Sequence, residues 1–90
     1  GMEEAAVITS SNAYKLYASH LEGAVSIYDA DFTGRIALII GSEAQGISPE
    51  TEKKSDLLIK IPMAGGAESL NASVAAGVMI FEAIRQRLYR

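Results

Sequence analysis

Residues 35–40, RIALII, constrain the fold more than any other part of this 90-residue chain. After Arg35 the segment is an unbroken apolar run, and Gly34 and Gly41 bound it. A run this short and this apolar is typical of a strand buried on both faces, which occurs mainly in parallel sheets covered by helices. The segment therefore predicts a protein of the α/β class.

Three other segments have strand character. Apolar and β-branched runs predict strands at residues 5–10, 24–28 and 56–61, and Pro62 ends the last of them. Because predicted strands and helices alternate, we expect a mostly parallel sheet with helices on both faces. Only three of the strands are strong, which is few for a doubly wound domain. Two explanations stay open: a partner covers one sheet edge, or the native domain has more strands upstream.

Three helices are predicted between and after these strands. Residues 13–21 repeat apolar side chains at roughly helical spacing. Ser48 followed by Pro49 predicts the start of a short helix, because serine is a good N-cap and proline fits the first helical position. The last helix covers residues 70–89, with Ser69 as its expected N-cap. Its apolar stripe, expected to pack inward, consists of Leu70, Val74, Gly77 or Val78, Phe81, Ile84 and Leu88.

The composition excludes several classes of protein. The chain is 49% apolar and 21% charged, which indicates a folded domain and not a disordered one. Its net charge of -3 argues against a free-standing nucleic-acid-binding protein, which would carry a basic face. With no cysteine and a single histidine, His20, a thiolate or histidine-rich metal site is excluded. No apolar run is long enough to span a bilayer. The absence of cysteine fits a reducing compartment, so we expect a cytoplasmic protein.

Two glycine-bearing loops follow predicted strands. Residues 41–46, GSEAQG, come after the predicted strand at 35–40, and residues 62–66, PMAGG, come after the one at 56–61. Open α/β sheets bind ligands at this position, and glycines let the backbone approach a ligand closely. Neither loop is a Walker A or GxGxxG motif. We expect the two loops to lie at adjacent strand ends, where they predict a cleft for a flat ligand held by backbone groups, although two ordinary tight connections would give the same pattern.

A polar cluster marks the start of the last helix. It consists of Glu68, Ser69, Asn71 and Ser73. Ser69 is explained by capping alone, but Asn71 and Ser73 have low helix propensity. A helix N-terminus offers free N–H groups to an anion or a polar substrate. We therefore expect this cluster to border the same cleft.

The two loops also carry a family resemblance. Residues 37–48, ALIIGSEAQGIS, and residues 61–76, IPMAGGAESLNASVAA, resemble the second and third motifs of the SpoU (TrmH-type) RNA ribose methyltransferases of the SPOUT superfamily. The resemblance implies an α/β domain with a trefoil knot near its C-terminal end, an exception among protein folds. It also implies a homodimer that binds S-adenosylmethionine, without a metal, and methylates a ribose 2′-oxygen of tRNA or rRNA.

The resemblance implies roles for particular residues. Those matching catalytic-site positions near the cofactor and the target ribose are Glu43, Ser69 and Asn71. Those matching the cofactor pocket are Ile40, Gly41, Glu43, Gly46, Ile61, Met63, Ser69 and Leu70.

One family motif has no counterpart in this sequence. The first motif supplies an Asn and the Arg held to activate the 2′-hydroxyl, and no N-x-G-x-x-x-R pattern occurs here. Residues 5–90 are therefore expected to be the C-terminal part of such an enzyme, inactive alone, and residues 1–4 a tag remnant and disordered start. A non-catalytic dimerisation or binding module is the second hypothesis, and a generic nucleotide-binding α/β domain is the third.

Overall fold

The computed structural model describes residues 3–7, 14–22, 25–41, 46–63 and 71–89. The strands are β1 (Glu3–Val7), β2 (Lys15–Ser19), β3 (Val25–Ser26), β4 (Ile36–Gly41) and β5 (Leu57–Lys60), and the helices are α1 (Pro49–Lys54) and α2 (Ala72–Leu88). They form one five-stranded sheet of order β1-β4-β2-β5-β3. Three of the four strand pairings are parallel, and only β1 pairs antiparallel, with β4. The α/β class with a mostly parallel sheet is confirmed.

The centre of the sheet contradicts one prediction. The sequence predicts a helix over residues 13–21, but β2 occupies Lys15–Ser19 and pairs with both β4 and β5. Tyr17 and Ala18 are consecutive and both buried. Their burial on opposite faces of a central strand removes the alternation that normally marks a strand, which explains the wrong helix assignment.

The other predicted strands differ mainly in their bounds. β1 begins two residues before the predicted strand, and residues 8–10 lie outside the described part of the chain. The strand predicted over residues 24–28 shortens to Val25–Ser26, because a turn follows at once and both Asp29 and Ala30 donate their N–H to the Ser26 carbonyl. α1 has the predicted bounds, and the Ser48 hydroxyl accepts the Thr51 N–H at 3.1 Å.

The main core lies between α2 and one face of the sheet. Strand alternation places Ile36, Leu38 and Ile40 of β4 on this face, and Ala75, Met79 and Ala83 of α2 belong to the same buried cluster. The remaining buried members are Tyr17, Ile27, Ala30, Phe32 and Ile59. Ala18 and Ala37 are buried outside this cluster, as expected for residues on the opposite face.

Most described members of the apolar stripe predicted for the last helix face outward, so for them the prediction of inward packing is wrong, whereas Val78 packs against the core cluster. Phe81 is 73% exposed, Leu88 68% and Val74 49%. Small or flexible side chains form the buried face, which lets α2 lie close to the sheet. The helix also begins later than predicted, since Asn71 and not Ser69 is its N-cap.

Candidate functional site

Three parallel strands end together at one edge of the sheet. β2 lies between β4 and β5, so the two strands followed by glycine-bearing loops are not direct neighbours. At this edge the Ser19 hydroxyl accepts the Gly41 N–H at 3.1 Å, and the His20 N–H donates to the Ile59 carbonyl at 2.9 Å. With strands about 4.8 Å apart, the ends of β4 and β5 are separated by roughly 10 Å. A flat ligand between the two loops would therefore lie over the end of β2.

Gly41 and Gly46 close the loop after β4. A Cβ atom on Gly41 would lie 2.6 Å from the Ile47 nitrogen and 2.7 Å from the Gly46 Cα, and closer still to the Gly46 carbonyl carbon. Gly46 has a φ of 68°, in the left-handed region that favours glycine. The backbone thus folds back onto the end of β4 so tightly that a side chain at Gly41 would displace it. Residues 42–45, which include the predicted site residue Glu43, lie outside the described part of the chain.

The segment after β5 forms the opposite side of this edge. Ile61 is half-buried against the core cluster, whereas Met63 is 37% exposed. Among the predicted cofactor residues that the structure describes, Ile40 is the most buried, at 2% exposure, so its side chain belongs to the core beneath the loops. The structure therefore brings Ile40 and Gly41 to the edge in β4 and Gly46 against them, with Ile61 directly after β5.

The start of α2 belongs to the same edge. The Asn71 Oδ1 atom accepts the Val74 N–H at 2.9 Å, which caps the helix. The prediction assigned the cap to Ser69 and a role at the cleft to Asn71; the cap prediction is wrong, and Asn71 is exposed and retains an NH₂ group that the cap does not use. Ser69 and Leu70 lie outside the described residues.

Sequence reasoning missed the end of β2. The Nδ1 atom of His20 accepts the Glu22 N–H at 3.0 Å, and its Nε2 atom lies 3.2 Å from a carboxylate oxygen of Glu52 in α1. The sequence predicts a surface histidine near a helix end, whereas the structure places it directly after the central strand, tied to α1. The sequence carries no local signal that His20 follows a central strand, because the apolar spacing in residues 13–21 predicts a helix.

Within residues 3–7, 14–22, 25–41, 46–63 and 71–89 no group of three or more His, Cys, Asp or Glu side chains could hold a metal ion. In that same part of the chain neither helix has the length and apolar character that crossing a membrane would need.

The structure is thus an α/β domain with a candidate ligand site at the carboxyl edge of a mostly parallel sheet. The sequence profile of the SpoU rRNA Methylase family matches residues 2–81. The chain therefore belongs to that family, and the resemblance seen in its two motifs is confirmed.

Similar proteins and solved structures agree with this assignment. The chain is 53% identical over 66 residues to a 23S rRNA (guanosine-2′-O-)-methyltransferase RlmB of Ralstonia nicotianae, an alignment that covers 73% of this chain and 26% of the relative. It is 50% identical over 62 residues to RlmB of Escherichia coli, covering 69% of this chain and 26% of the relative.

Among solved structures, the SpoU methyltransferase AviRb from Streptomyces viridochromogenes in complex with AdoMet superposes with a TM-score of 0.81 at 38% identity, covering 87% of this chain and 31% of AviRb. The A. aeolicus TrmH/SpoU tRNA modifying enzyme gives a TM-score of 0.74 at 41% identity and covers 82% of this chain and 38% of that one. The chain thus spans about a quarter of the curated relatives that it matches.

Proposed function

We propose that this chain is the cofactor-binding part of an S-adenosylmethionine-dependent RNA 2′-O-ribose methyltransferase acting on rRNA or tRNA. The observation that carries the proposal is the close return of Gly46 onto Gly41 at the carboxyl edge of β4. A glycine-closed turn of this kind gives a ligand access to backbone N–H and C=O groups, which suits a cofactor recognised largely through backbone groups. AviRb, solved with AdoMet, superposes over 87% of this chain.

The proposed roles of the residues follow from their places at the edge. Gly41 and Gly46 would contact the cofactor through their backbones, Ile61 and Met63 would form its second wall, and the buried Ile40 would support the turn. Family resemblance adds Glu43, Ser69 and Leu70 to the same pocket. When bound, S-adenosylmethionine supplies an electrophilic methyl group, and the residues of this chain would orient it toward the acceptor. Asn71 would offer its amide NH₂ to the ribose.

The family resemblance assigns removal of the 2′-hydroxyl proton to the Arg of the first motif, and no arginine among the described residues lies at the candidate site. Arg35 precedes β4, whose six residues place it roughly 20 Å from Gly41, at the opposite edge of the sheet. Arg87 contacts the Phe32 and Gly34 carbonyls near that same opposite edge, and Arg85 is paired with Glu82. We therefore propose that this chain alone binds the cofactor but does not transfer the methyl group.

Isothermal titration calorimetry with S-adenosylmethionine tests the proposal, and separate titrations with ATP and NAD serve as the comparison. We expect saturable binding of S-adenosylmethionine and no heat from the other two nucleotides, together with no methylation of rRNA or tRNA by this chain alone. An absence of S-adenosylmethionine binding would refute the cofactor role. Turnover by the chain alone would refute the need for a further group.

A second candidate, a non-catalytic dimerisation module, is favoured by the exposed apolar face of α2. This face, formed by Val74, Phe81, Ile84 and Leu88, adjoins the exposed Tyr28. Tyr28 and α2 border a shallow groove lined mostly by apolar atoms. A contiguous apolar surface of this kind marks an interaction site.

We propose that a second copy of this chain covers the α2 face, so that the cofactor-binding part is also the dimerisation part. Sedimentation equilibrium of the wild-type chain, Phe81→Glu and Leu21→Glu tests this proposal. Leu21 is a matched control, because its exposure of 72% is close to the 73% of Phe81 and it lies outside α2. We expect a dimer for the wild type and for Leu21→Glu and a monomer for Phe81→Glu. A monomeric wild type would refute the proposal.

Two further expectations depend on the same family assignment. A trefoil knot near the C-terminal end stays a prediction, since residues 64–70 between β5 and α2 lie outside the described part of the chain. A cytoplasmic location is part of the proposal, since rRNA and tRNA are the proposed substrates.

A further inference from the structure

Side chains of α2 hold the segment that leads into β4. The Gln86 Nε2 atom donates to the Ala30 carbonyl at 2.9 Å, and its Oε1 atom accepts the Phe32 N–H at 2.8 Å. Arg87 donates from Nε to the Phe32 carbonyl at 3.0 Å and from Nη2 to the Gly34 carbonyl. We call Gln86, Arg87 and the backbone of residues 30–34 the clamp. It satisfies backbone groups of a segment that has no strand or helix bonds of its own.

A buried carboxylate orients the amide of Gln86. Glu82 is 6% exposed, and its Oε2 atom accepts from Gln86 Nε2 at 2.8 Å. Arg85 donates to both carboxylate oxygens of Glu82 at 2.8 Å, and these hydrogen bonds lower the pKa of Glu82 to about 2. Because an ionised carboxylate only accepts hydrogen bonds, the NH₂ group of Gln86 must face Glu82 and Ala30. Its carbonyl oxygen is then left to receive the Phe32 N–H.

The clamp is at the far end of α2 from the candidate site. Gln86 is fifteen residues after Asn71, or roughly 22 Å along the helix axis. The clamp holds the helix C-terminus beside the start of β4, so α2 runs back along β4. The helix start consequently lies at the edge where β4 ends, at Gly41.

The packed face of α2 resists sliding only weakly. Its buried core residues are Ala75, Met79 and Ala83, which are two methyl groups and one flexible side chain. Val78 and Ile80 also pack against the core cluster, but only in part. Contacts of this kind favour burial of the inner face of α2 but do not fix the position of the helix along its own axis. A displacement by one residue would move the helix start by about 1.5 Å, enough to misplace a ligand-binding group. Directional hydrogen bonds at the clamp supply the missing constraint.

We propose that Gln86 is a positioning residue of the candidate cofactor site, which it controls by fixing α2 against β4. The proposal rests on the proposed function, since it concerns the same site. In this arrangement the clamp sets the distance between Asn71, at the helix start, and Gly41, at the strand end. Neither residue touches the clamp.

The test is the isosteric substitution Gln86→Glu, with Ile27→Val as the control. The substituted carboxylate would face the Ala30 carbonyl and the Glu82 carboxylate with an oxygen in place of the NH₂ group, which breaks both hydrogen bonds. Ile27 is fully buried in the core and makes no part of the clamp, so its truncation lowers stability without altering the clamp. Two readouts are needed: amide chemical shifts of the cofactor-free protein by ¹H–¹⁵N NMR, and the affinity for S-adenosylmethionine.

We expect Gln86→Glu to shift the amide signals of Gly41, Gly46 and Val74 while Ile27→Val leaves them in place. The affinity of the folded protein for S-adenosylmethionine should fall at least about tenfold, or roughly 1.4 kcal/mol, in Gln86→Glu alone. Lowering the pH toward 5 should restore both readouts in part, because the substituted carboxyl lies beside Glu82 and gains a donor when protonated.

Shift changes confined to residues 30–34 and the last two turns of α2 would overturn the inference, because the clamp would then be purely local. So would an unchanged affinity of the folded variant. If the wild-type chain binds no S-adenosylmethionine, the proposed function fails, and the amide shifts of Gly41, Gly46 and Val74 still decide the positioning role.

Discussion

The ionised Glu82 predicts a specific loss of stability in acid. The carboxylate is 6% exposed, and hydrogen bonds from Arg85, followed by those from Gln86, outweigh burial and hold its pKa at about 2, against an ordinary value of 4.5. A carboxyl whose pKa is lower in the folded state stabilises the fold above the pKa of the unfolded chain. That stabilisation is lost as the pH falls from about 4.5 toward 2.

The size of the effect follows from the same pair. Without solvent screening, this lowering of the Glu82 pKa would correspond to roughly 3 kcal/mol of folding free energy. The Arg85 side chain is 56% exposed, so solvent screens its part of the interaction. We therefore expect the acid loss attributable to Glu82 to be about 1 to 2 kcal/mol, which is a sizeable fraction of the stability of a domain this small.

Urea unfolding between pH 6 and pH 2.5 measures the effect. Glu82→Gln should be less stable than the wild type at pH 6 and should approach it as the pH falls, because the variant has no carboxylate to protonate. Glu22→Gln, at an exposed carboxyl, serves as the control and should follow the wild type at every pH. If Glu82→Gln and the wild type lose the same free energy of unfolding over this range, the assigned role of Glu82 is wrong.

Three further substitutions test the site and the core. Gly41→Ala should displace the backbone at residues 46–47 and lower S-adenosylmethionine affinity at least about tenfold, measured by calorimetry; Gly77→Ala in α2, where a Cβ meets nothing within 4 Å, should leave the affinity unchanged. Asn71→Ala should lower the free energy of unfolding by about 1 kcal/mol through the lost cap, whereas Asn71→Asp should retain it, and equal losses in urea unfolding would contradict the capping role. Phe32→Ala should cost about 3 to 5 kcal/mol, because the ring is fully buried and packs edge-on against Tyr17 at 5.4 Å, and a loss below 1 kcal/mol in the same assay would refute that assignment.

Elements with strong local signals could be predicted from the sequence. β4 is an apolar run between glycines, and the structure extends it only through Gly41. α1 begins at Pro49 after the Ser48 cap, because serine and proline favour that start regardless of the surrounding fold. Pro62 follows β5, since a proline cannot continue a central ladder. In each case the deciding interaction lies within a few residues of the element.

β2 could not be predicted in this way because its structure depends on distant partners. Tyr14, Leu16, Tyr17 and Leu21 have spacings compatible with a helix. The segment is a strand because β4, about twenty residues later, and β5, about forty residues later, pair with its two edges. The same error concealed His20 and Ser19, so the cleft was predicted between adjacent strands when β2 in fact separates them.

The outward stripe of α2 has a different cause. Periodicity identifies which residues share a helix face, but hydrophobicity is equally typical of a core and of an interface between chains. The inner face of α2 decides which side packs on the sheet, because Ala75 and Ala83 are small enough to let the helix approach the sheet closely. The face formed by small residues packs against the sheet although it carries less apolar area than the outer stripe.

This division of α2 explains why a charged residue is buried in its core-facing side. Most of the large apolar side chains of α2 lie on its outer face, and Val78 and Ile80 pack against the core only in part. The buried Ala75, Met79 and Ala83 therefore constrain the position of the helix weakly. Polar contacts are directional where alanine contacts are not, so Glu82 and Gln86 can specify one position of α2 against the segment leading into β4. On this view the buried carboxylate is retained for the positional specificity that it gives to the helix, and the proposed cofactor site at the other end of α2 depends on that specificity.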